Sequence, residues 1–183
     1  MKNLLSVAIV STILSPPLQA AETHDAFFEA LRYMCGEQYQ AKVVEGNESD
    51  DTWQNSTIIM DVVECYPEKI EILLSVGQDT SRRWIIFKAG EGLTFHHYHM
   101  NDDGTPADIT FYGGSTTTPG TANVQEFPAD EYSKALFLKN GLDISVNNIW
   151  VLMIDPQKHM FSYRLQRPGR VFQIDFDLSR PLD

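Results

Sequence analysis

The sequence predicts a mainly β protein, in which an antiparallel meander of about nine strands closes into a barrel. Two observations carry this prediction. Apolar and polar residues alternate in short segments along most of the chain, and turn residues such as Gly, Pro, Asn and Asp separate these segments. A two-sheet sandwich is the alternative. Closure is favoured because it removes the exposed strand edges that an open sheet must protect.

The alternation is clearest in the last predicted strand, where the even positions from 172 to 178 are apolar and the odd positions are polar. Such a strand has one buried face and one solvent-facing side. A tight turn precedes it, since Pro168 restricts φ and Gly169 tolerates a positive φ. The predicted strands cover residues 38–44, 57–64, 69–76, 82–88, 93–100, 108–112, 148–154, 158–165 and 172–178.

Two short helices complete the expected fold. The first covers residues 25–34, with Asp25 as the expected cap and Gly36 at its exit. The second lies near 128–138, where Pro and acidic residues favour a first helical turn. Between the strands and this second helix, residues 113–121 are predicted to form a Gly/Thr-rich loop. The apolar face of the first helix consists of Phe27, Phe28, Leu31 and Met34.

The first twenty residues have the layout of a cleaved secretory signal. Lys2 provides a positive start, residues 4–14 are mostly apolar, and Ala20 is a small residue at the expected cleavage point. The apolar run is too short to cross a bilayer, and an amphipathic N-terminal anchor is the alternative. We therefore predict a signal peptide at 1–20, a single β-barrel domain at 21–183, and a periplasmic or secreted location.

Composition and cysteine usage limit the expected partners. The 183 residues include 14 basic and 25 acidic side chains, a net charge of −11. Such a surface repels phosphate groups, so nucleic acid is not an expected partner. No segment after the first twenty residues is apolar enough to span a membrane. Cys35 and Cys65 match no metal or redox motif, and in an oxidising compartment a disulfide is expected, with two buried thiols as the alternative.

Three of the five histidines fall within one predicted strand. Alternation places His97 and His99 on one face, and His96 and Tyr98 on the other. Two imidazoles at this spacing could share a divalent metal ion, although a structural zinc site needs four ligands. A polar ligand-binding patch and a merely solvated or hydrogen-bonded histidine strand are the other two interpretations.

The hairpin after these histidines brings back a strand whose register the sequence leaves open. In one register, Asp108 and Thr110 lie beside His97 and His99, and Tyr112 shares their face. A slip by one residue would place apolar side chains there instead. The first register would supply an oxygen ligand or an orienting carboxylate, and the second would not.

Arg82 and Trp84 share a face at the start of another strand, so a guanidinium could stack on an indole. Either Arg82 closes a barrel end over a core tryptophan, or it meets an anionic ligand at the barrel mouth. The predicted ligand-binding residues are His97, His99, Asp108, Thr110, Tyr112, Arg82 and Trp84.

The sequence contains no recognisable catalytic elbow, metalloprotease motif or haem-attachment motif that would point to one activity. Three functions are consistent with the residues described above. The favoured one is an exported barrel that binds a small, largely apolar ligand in its interior or mouth, because three Trp, ten Phe and seven Tyr could line a pocket. A metal-dependent enzyme or metal-binding protein using His97 and His99 is the first alternative. An envelope interaction protein with a filled barrel is the second.

Six motifs stand out along the chain: Gly77–Trp84, His96–His99, Asp103–Thr105, Tyr112–Gly114, Phe127–Asp130 and Asn148–Trp150. Together they resemble a group of uncharacterised secreted bacterial proteins, and the likeness extends over most of the chain after the first twenty residues. It implies no activity, since none is assigned to that group. The short helix that runs into Cys35-Gly36 resembles the entry to lipocalin-type barrels, although Gln38 stands where their Gly-x-Trp signature has Trp. The resemblance implies a lipocalin-like or more broadly calycin-like barrel.

Overall fold

A computed structural model describes residues 16–182, and this part of the chain contains ten strands and three α-helices. Within it, no helix is long and apolar enough to cross a membrane. In chain order the elements are α1 Pro16–Arg32, β1 Gln38–Glu45, a 3₁₀ turn Glu48–Asp50, α2 Asp51–Gln54, β2 Ile58–Cys65, β3 Lys69–Val76, β4 Asp79–Ala89, β5 Gly92–His99, β6 Tyr112–Ser115, β7 Val124–Pro128, α3 Glu131–Lys139, a 3₁₀ turn Asp143–Asn147, β8 Ile149–Asp155, β9 Met160–Arg167 and β10 Arg170–Asp177.

All the strands belong to one antiparallel sheet, in the order β6-β5-β4-β3-β2-β1-β10-β9-β8-β7. Pairing of β1 with both β2 and β10 joins the two halves of the chain into this one sheet, and because its edge strands β6 and β7 lie next to each other, the sheet curls into a nearly closed barrel. This confirms the predicted meander and its closure. The remaining seam lies between β6 and β7, where the Asp130 backbone N–H donates to the Gly113 carbonyl at 3.0 Å. The Ser133 hydroxyl also donates to that carbonyl, at 2.9 Å.

Alternating side chains from the strands fill the barrel interior, and α1 covers one end of it. Phe27, Phe28 and Leu31 of this helix are fully buried. The His24 ring fixes the helix further, since its two nitrogens lie 2.7 and 3.2 Å from the carbonyl oxygens of Glu91 and Thr118. The buried apolar residues of the strands include Ile58, Met60, Ile70, Ile72, Trp84, Ile86, Phe95, Phe127, Trp150, Phe161, Ile174 and Phe176.

Consecutive connections in a meander lie at alternate ends, which makes the two ends of this barrel different. We call the end covered by α1 the helix end. The opposite end, the loop end, receives the three longest connections between strands, residues 46–57, 100–111 and 129–148. The disulfide between Cys35 and Cys65 lies at the helix end and joins the segment after α1 to the end of β2, with the Cα atoms 6.2 Å apart. It confirms the predicted pairing.

Several predicted boundaries are wrong. Helix α1 continues back to Pro16, so Asp25 lies inside it and is not its cap; proline is tolerated there because the first helical N–H groups have no intrahelical partner. The predicted signal peptide lies outside the described residues, except for its last five, which begin α1. The second helix is confirmed, beginning at Glu131 after an Asp130 cap.

The strand predicted at 108–112 is also wrong, because residues 100–111 form a connection and β6 begins only at Tyr112. Gly113 and Gly114 therefore belong to a strand and not to the predicted flexible loop. A Cβ atom on Gly114 would collide with the Pro128 carbonyl, so glycine is what permits the close approach at the seam. Strand β7, which completes the barrel, was missing from the prediction.

Candidate ligand site at the loop end of the barrel

Strands β4, β5 and β6 bring the predicted site residues together through their register. Arg82 pairs with His99, and Trp84 pairs with His97, so all four side chains face inward. His97 also pairs with Tyr112 on β6. This differs from both registers that the sequence left open. As in the first of them, the polar side chains of Thr110 and Tyr112 lie on the same side as His97, but the strands pair two residues further along, so that Tyr112 and not Thr110 lies opposite His97.

His97 lies deep in the barrel, with 4% of its surface exposed. Its Nδ1 lies 3.2 Å from the Tyr112 carbonyl oxygen, and its Nε2 lies 3.0 Å from the Tyr163 hydroxyl. A carbonyl only accepts, so Nδ1 carries the proton and Nε2 accepts from Tyr163. Burial holds the pKa of His97 well below its usual value, and the imidazole is neutral at physiological pH.

Aromatic rings surround His97 and fill the barrel at this level. The His97 ring stacks on Tyr112 at 4.7 Å and lies 5.1 Å from Trp150, while Trp84 stacks on Tyr163 at 4.6 Å. Burial raises the pKa of Tyr112 to about 12 and that of Tyr163 well above its usual value. Both phenols therefore stay protonated at neutral pH.

Above this packed layer, four side chains form what we call the mouth site: Trp53, Arg82, His99 and Tyr112. The Tyr112 hydroxyl lies 3.0 Å from His99 Nε2. Burial, reinforced by the positive charge of Arg82, lowers the pKa of His99 to about 4. At neutral pH the imidazole is thus uncharged and shares one hydrogen bond with the Tyr112 hydroxyl.

Arg82 is the charged centre of the mouth site, and its side chain is 29% exposed. Its guanidinium carbon lies 5.3 Å from the centre of the Trp53 ring. One terminal nitrogen lies 2.7 Å from an Asp79 carboxylate oxygen. The Nε atom, in contrast, is buried and has no hydrogen-bond partner among the described residues.

The β1–β2 connection places Trp53 over Arg82, and an ion pair holds this connection to the barrel. The Asp50 carboxylate accepts hydrogen bonds from Arg170 at 2.5 and 2.9 Å and from the Asn47 backbone N–H at 2.9 Å. Burial by itself would raise the pKa of Asp50, but the hydrogen bonds from Arg170 and Asn47 outweigh it and lower the pKa. The Trp53 ring also packs edge-on against Phe172 at 5.2 Å.

A groove of about 760 Å³ opens beside Trp53. It runs between β1 and the β1–β2 connection, because β1 pairs with β2 only as far as Ala41 and then continues beside β10 alone. Its lining is mainly polar and includes Gln54 and Asn55, with the apolar Ala41, Val43 and Ile58 beside them. The volume lies in the range of small-molecule sites.

The fold brings together six of the seven predicted ligand-binding residues: Arg82, Trp84, His97, His99, Thr110 and Tyr112. The Thr110 side chain accepts a hydrogen bond from the His99 backbone N–H at 2.8 Å. Asp108 does not join them, since it is exposed in the 100–111 connection. Trp53, Trp150 and Tyr163 were missed, although the alternation along β8 and β9 could have indicated the last two.

The metal hypothesis finds no ligand set in the described part of the chain. Among residues 16–182, no group of three or more His, Cys, Asp or Glu side chains is arranged to hold a metal ion. Both ring nitrogens of His97 lie within hydrogen-bond distance of other groups, as does Nε2 of His99. A metal on these imidazoles would have to replace those hydrogen bonds.

Comparison of the chain with protein-family models, curated proteins and solved structures gave no significant match. The resemblance to secreted bacterial proteins and to lipocalin-type barrels therefore stays a prediction. The fold and the geometry of the mouth site carry the functional argument.

Proposed function

We propose that the protein is an exported β-barrel binding module, which holds a small, largely apolar ligand with one anionic group at the mouth site. The observation that carries this proposal is the unpaired hydrogen-bond donor of the Arg82 guanidinium. This guanidinium faces the barrel end with a buried Nε donor that has no partner among the described residues. Leaving a buried donor unpaired costs about 1–3 kcal/mol.

A ligand carboxylate or sulfonate would remove this cost. An oxyanion accepts two parallel hydrogen bonds from a guanidinium, one of which would engage Nε. His99 and Tyr112 are uncharged at neutral pH because burial shifts their pKa values away from 7. These two neighbours therefore do not oppose an anion on electrostatic grounds.

The apolar part of the ligand is assigned to the loop end rather than to the barrel interior. Trp84, Trp150 and Tyr163 fill the space below the mouth site together with His97. The Trp53 ring offers apolar contact surface at the level of Arg82, and the adjoining 760 Å³ groove, whose lining is mainly polar, offers room for the polar substituents of the ligand.

Export is supported by two features of the chain. The first twenty residues have the layout of a secretory signal. The disulfide between Cys35 and Cys65 is of the kind that persists in oxidising compartments and is rare in the reducing cytosol. The class of protein that we infer is thus a periplasmic or secreted carrier or sensor of an amphipathic molecule.

Two fluorescent probes test the proposal. 1-Anilinonaphthalene-8-sulfonate has apolar rings and an anionic group, whereas N-phenyl-1-naphthylamine has similar rings and no charge. We expect Arg82→Gln to weaken sulfonate binding by about tenfold and to change binding of the neutral probe by less than about twofold. Arg82→Lys, which keeps the charge but loses the planar pair of donors, is expected to fall between.

The matched control is Arg180→Gln, because the Arg180 side chain is 86% exposed. This variant should bind both probes like the native protein. Equal loss of sulfonate binding in the Arg82 and Arg180 variants would show non-specific attraction and overturn the site. Absence of binding of either probe to the native protein would overturn the proposal in favour of an envelope interaction protein, an alternative that the filled interior supports.

A further inference from the structure

The strands turn three arginines inward at the loop end of this acidic protein. Alternation puts them on the same strand faces as the buried core residues Trp84, Tyr163 and Phe172. Two carboxylates, Asp50 and Asp79, form ion pairs with members of this group. One of the three guanidinium groups therefore has no carboxylate partner among the described residues, in a chain whose net charge is −11. The three arginines are Arg82, Arg167 and Arg170.

Arg167 is the arginine without a carboxylate partner. It lies directly opposite Arg170 across β9 and β10, and like charges in this position are destabilising. The Asp50 carboxylate binds Arg170, whereas the Arg167 side chain donates to the neutral Asn148 Oδ1 at 2.8 Å. Burial, reinforced by the charge of Arg170, lowers the pKa of Arg167, but a guanidinium stays charged at neutral pH. The folded chain thus retains a half-buried cation without a compensating charge.

Arg167 and Arg82 lie on opposite sides of the barrel mouth. Their strands, β9 and β4, are five places apart in the ten-stranded sheet, so its closure puts them on opposite walls. The walls meet below the mouth, where Trp84 of β4 stacks on Tyr163 of β9 with the ring centres 4.6 Å apart. Arg82 and Arg167 follow these two rings towards the loop end of their strands. Both guanidinium groups therefore lie above the same aromatic layer.

Apolar side chains occupy the space between the two cations. Trp53 and Leu165 are partly buried and pack against the core. The Trp53 ring centre is 5.3 Å from the guanidinium carbon of Arg82, and Leu165 precedes Arg167 on the inward face of β9. Two cations separated by apolar surface are complementary to a molecule with two anionic ends and an apolar middle.

We propose that the barrel mouth binds a ligand with two anionic groups joined by an apolar spacer, of the class of linear α,ω-dicarboxylates. Arg82 binds one carboxylate and Arg167 binds the other. This inference rests on the proposed function and deepens it, because it keeps Arg82 as one anion-binding group and adds a second. A carboxylate at Arg167 also offsets the repulsion between Arg167 and Arg170, which a monoanion at Arg82 leaves in place.

Isothermal titration calorimetry with matched pairs of acids tests the proposal. Hexanedioate, octanedioate, decanedioate and dodecanedioate are each compared with the monocarboxylate of the same carbon number. At a purely apolar site the second charge weakens binding, because it must be desolvated without a partner. Here at least one dicarboxylate is expected to bind about tenfold more tightly than its monocarboxylate counterpart. One spacer length should be preferred, since the two guanidinium groups are fixed on opposite walls.

Variants of the two arginines assign the two ends of the ligand. Arg167→Gln should weaken binding of the preferred dicarboxylate by about tenfold and change binding of the matched monocarboxylate by less than about twofold. Monocarboxylate binding thus also shows that this variant is folded. Arg82→Gln should weaken binding of both acids. Arg167→Lys, which keeps the charge but loses the planar donors, should retain part of the preference, and the exposed Arg180→Gln should retain all of it.

The outcomes separate this inference from the proposed function. Equal affinity for dicarboxylates and monocarboxylates, or a preference that persists in Arg167→Gln, would overturn the second anionic group and leave a monoanion at Arg82 intact. An equal loss of both acids in Arg167→Gln would overturn it as well. If none of the acids binds, the dianionic ligand is overturned, and Arg82-dependent binding of the sulfonate probe decides the proposed function by itself.

Discussion

The two ends of the barrel are held together by different interactions. At the helix end, Phe27, Phe28 and Leu31 are fully buried and a disulfide fastens the chain. At the loop end, the ion pair of Asp50 with Arg170 is prominent, together with the hydrogen-bonded and charged groups around Arg82. Apolar burial does not depend on pH, whereas polar contacts of this kind can be exchanged for contacts with a ligand.

We infer from this difference that the helix end contributes mainly to stability and the loop end mainly to ligand binding. The apolar helix end closes the barrel and offers little that a ligand could replace. The loop end contains a guanidinium with an unsatisfied donor, an imidazole and a phenol, and its longest connections lie beside them. Variants at the two ends should therefore separate the free energy of unfolding from ligand affinity.

The largest expected effect is at the helix end. Phe28→Ala removes a fully buried ring and leaves a cavity under α1, which should lower the free energy of unfolding by about 4 kcal/mol. Chemical denaturation measures this, with the exposed Tyr33→Ala as control. Affinity for the anionic probe should stay unchanged in the fraction that remains folded. A loss below about 1 kcal/mol would show that α1 is not part of the cooperative core.

A smaller effect on stability, but a larger one on binding, is expected from Asp50→Asn at the loop end. The variant leaves the Arg170 charge without its carboxylate partner, which should cost about 2 kcal/mol after allowance for the partial exposure of Arg170. Because Asp50 fixes the connection that carries Trp53, probe affinity should also fall. Unchanged affinity together with reduced stability would contradict the contribution of Trp53 to the mouth site.

The smallest expected effect is the contribution of His97 to the pH dependence of the free energy of unfolding. Well above pH 6.5 this imidazole is neutral in both the folded and the unfolded chain, so it contributes no pH dependence to the free energy of unfolding. Below 6.5 the unfolded chain binds a proton that the buried imidazole, with its lowered pKa, does not bind. The free energy of unfolding should therefore fall as the pH falls, by up to about 1.4 kcal/mol per pH unit.

Denaturation midpoints between pH 6.5 and 5 measure this slope. Compared with the native protein in the same buffers, His97→Gln should reduce the slope of the unfolding free energy against pH by the contribution of about one proton. The comparison concerns the slope and not the absolute stability, so it holds even where His97→Gln destabilises the fold. An unchanged slope in His97→Gln would mean that the imidazole is protonated inside the barrel.

Much of the fold could be predicted because the underlying patterns are local. Eight of the nine predicted strands, at 38–44 through 93–100 and 148–154 through 172–178, correspond to observed ones. The misplaced strand at 108–112 and the missing β7 flank the glycine-rich seam. There the pairing depends on close backbone approach between distant segments, which the composition of either segment does not reveal.

The residues of the candidate site likewise fall into those that local alternation predicts and those that depend on contacts between distant segments. Alternation predicted that His97 shares a strand face with His99, and Arg82 with Trp84. This follows from the geometry of a single strand, in which successive side chains point to opposite faces, and does not depend on the rest of the fold. Asp108 lies apart from these residues, because its facing required a register that the length of a turn decides. Trp53 was missed because it lies on an irregular connection, where no periodicity indicates what a side chain will cover.

The sequence by itself determined the meander, the disulfide between Cys35 and Cys65, and the side of β5 on which His96, His97 and His99 lie. Only the tertiary structure decided that Tyr163, 66 residues away, donates its hydrogen bond to His97. It also placed Trp53 over Arg82 and the Phe111 ring beside His96. The physical reason is that alternation depends on the geometry of one strand, whereas these contacts require the closure of the barrel and the path of its long connections.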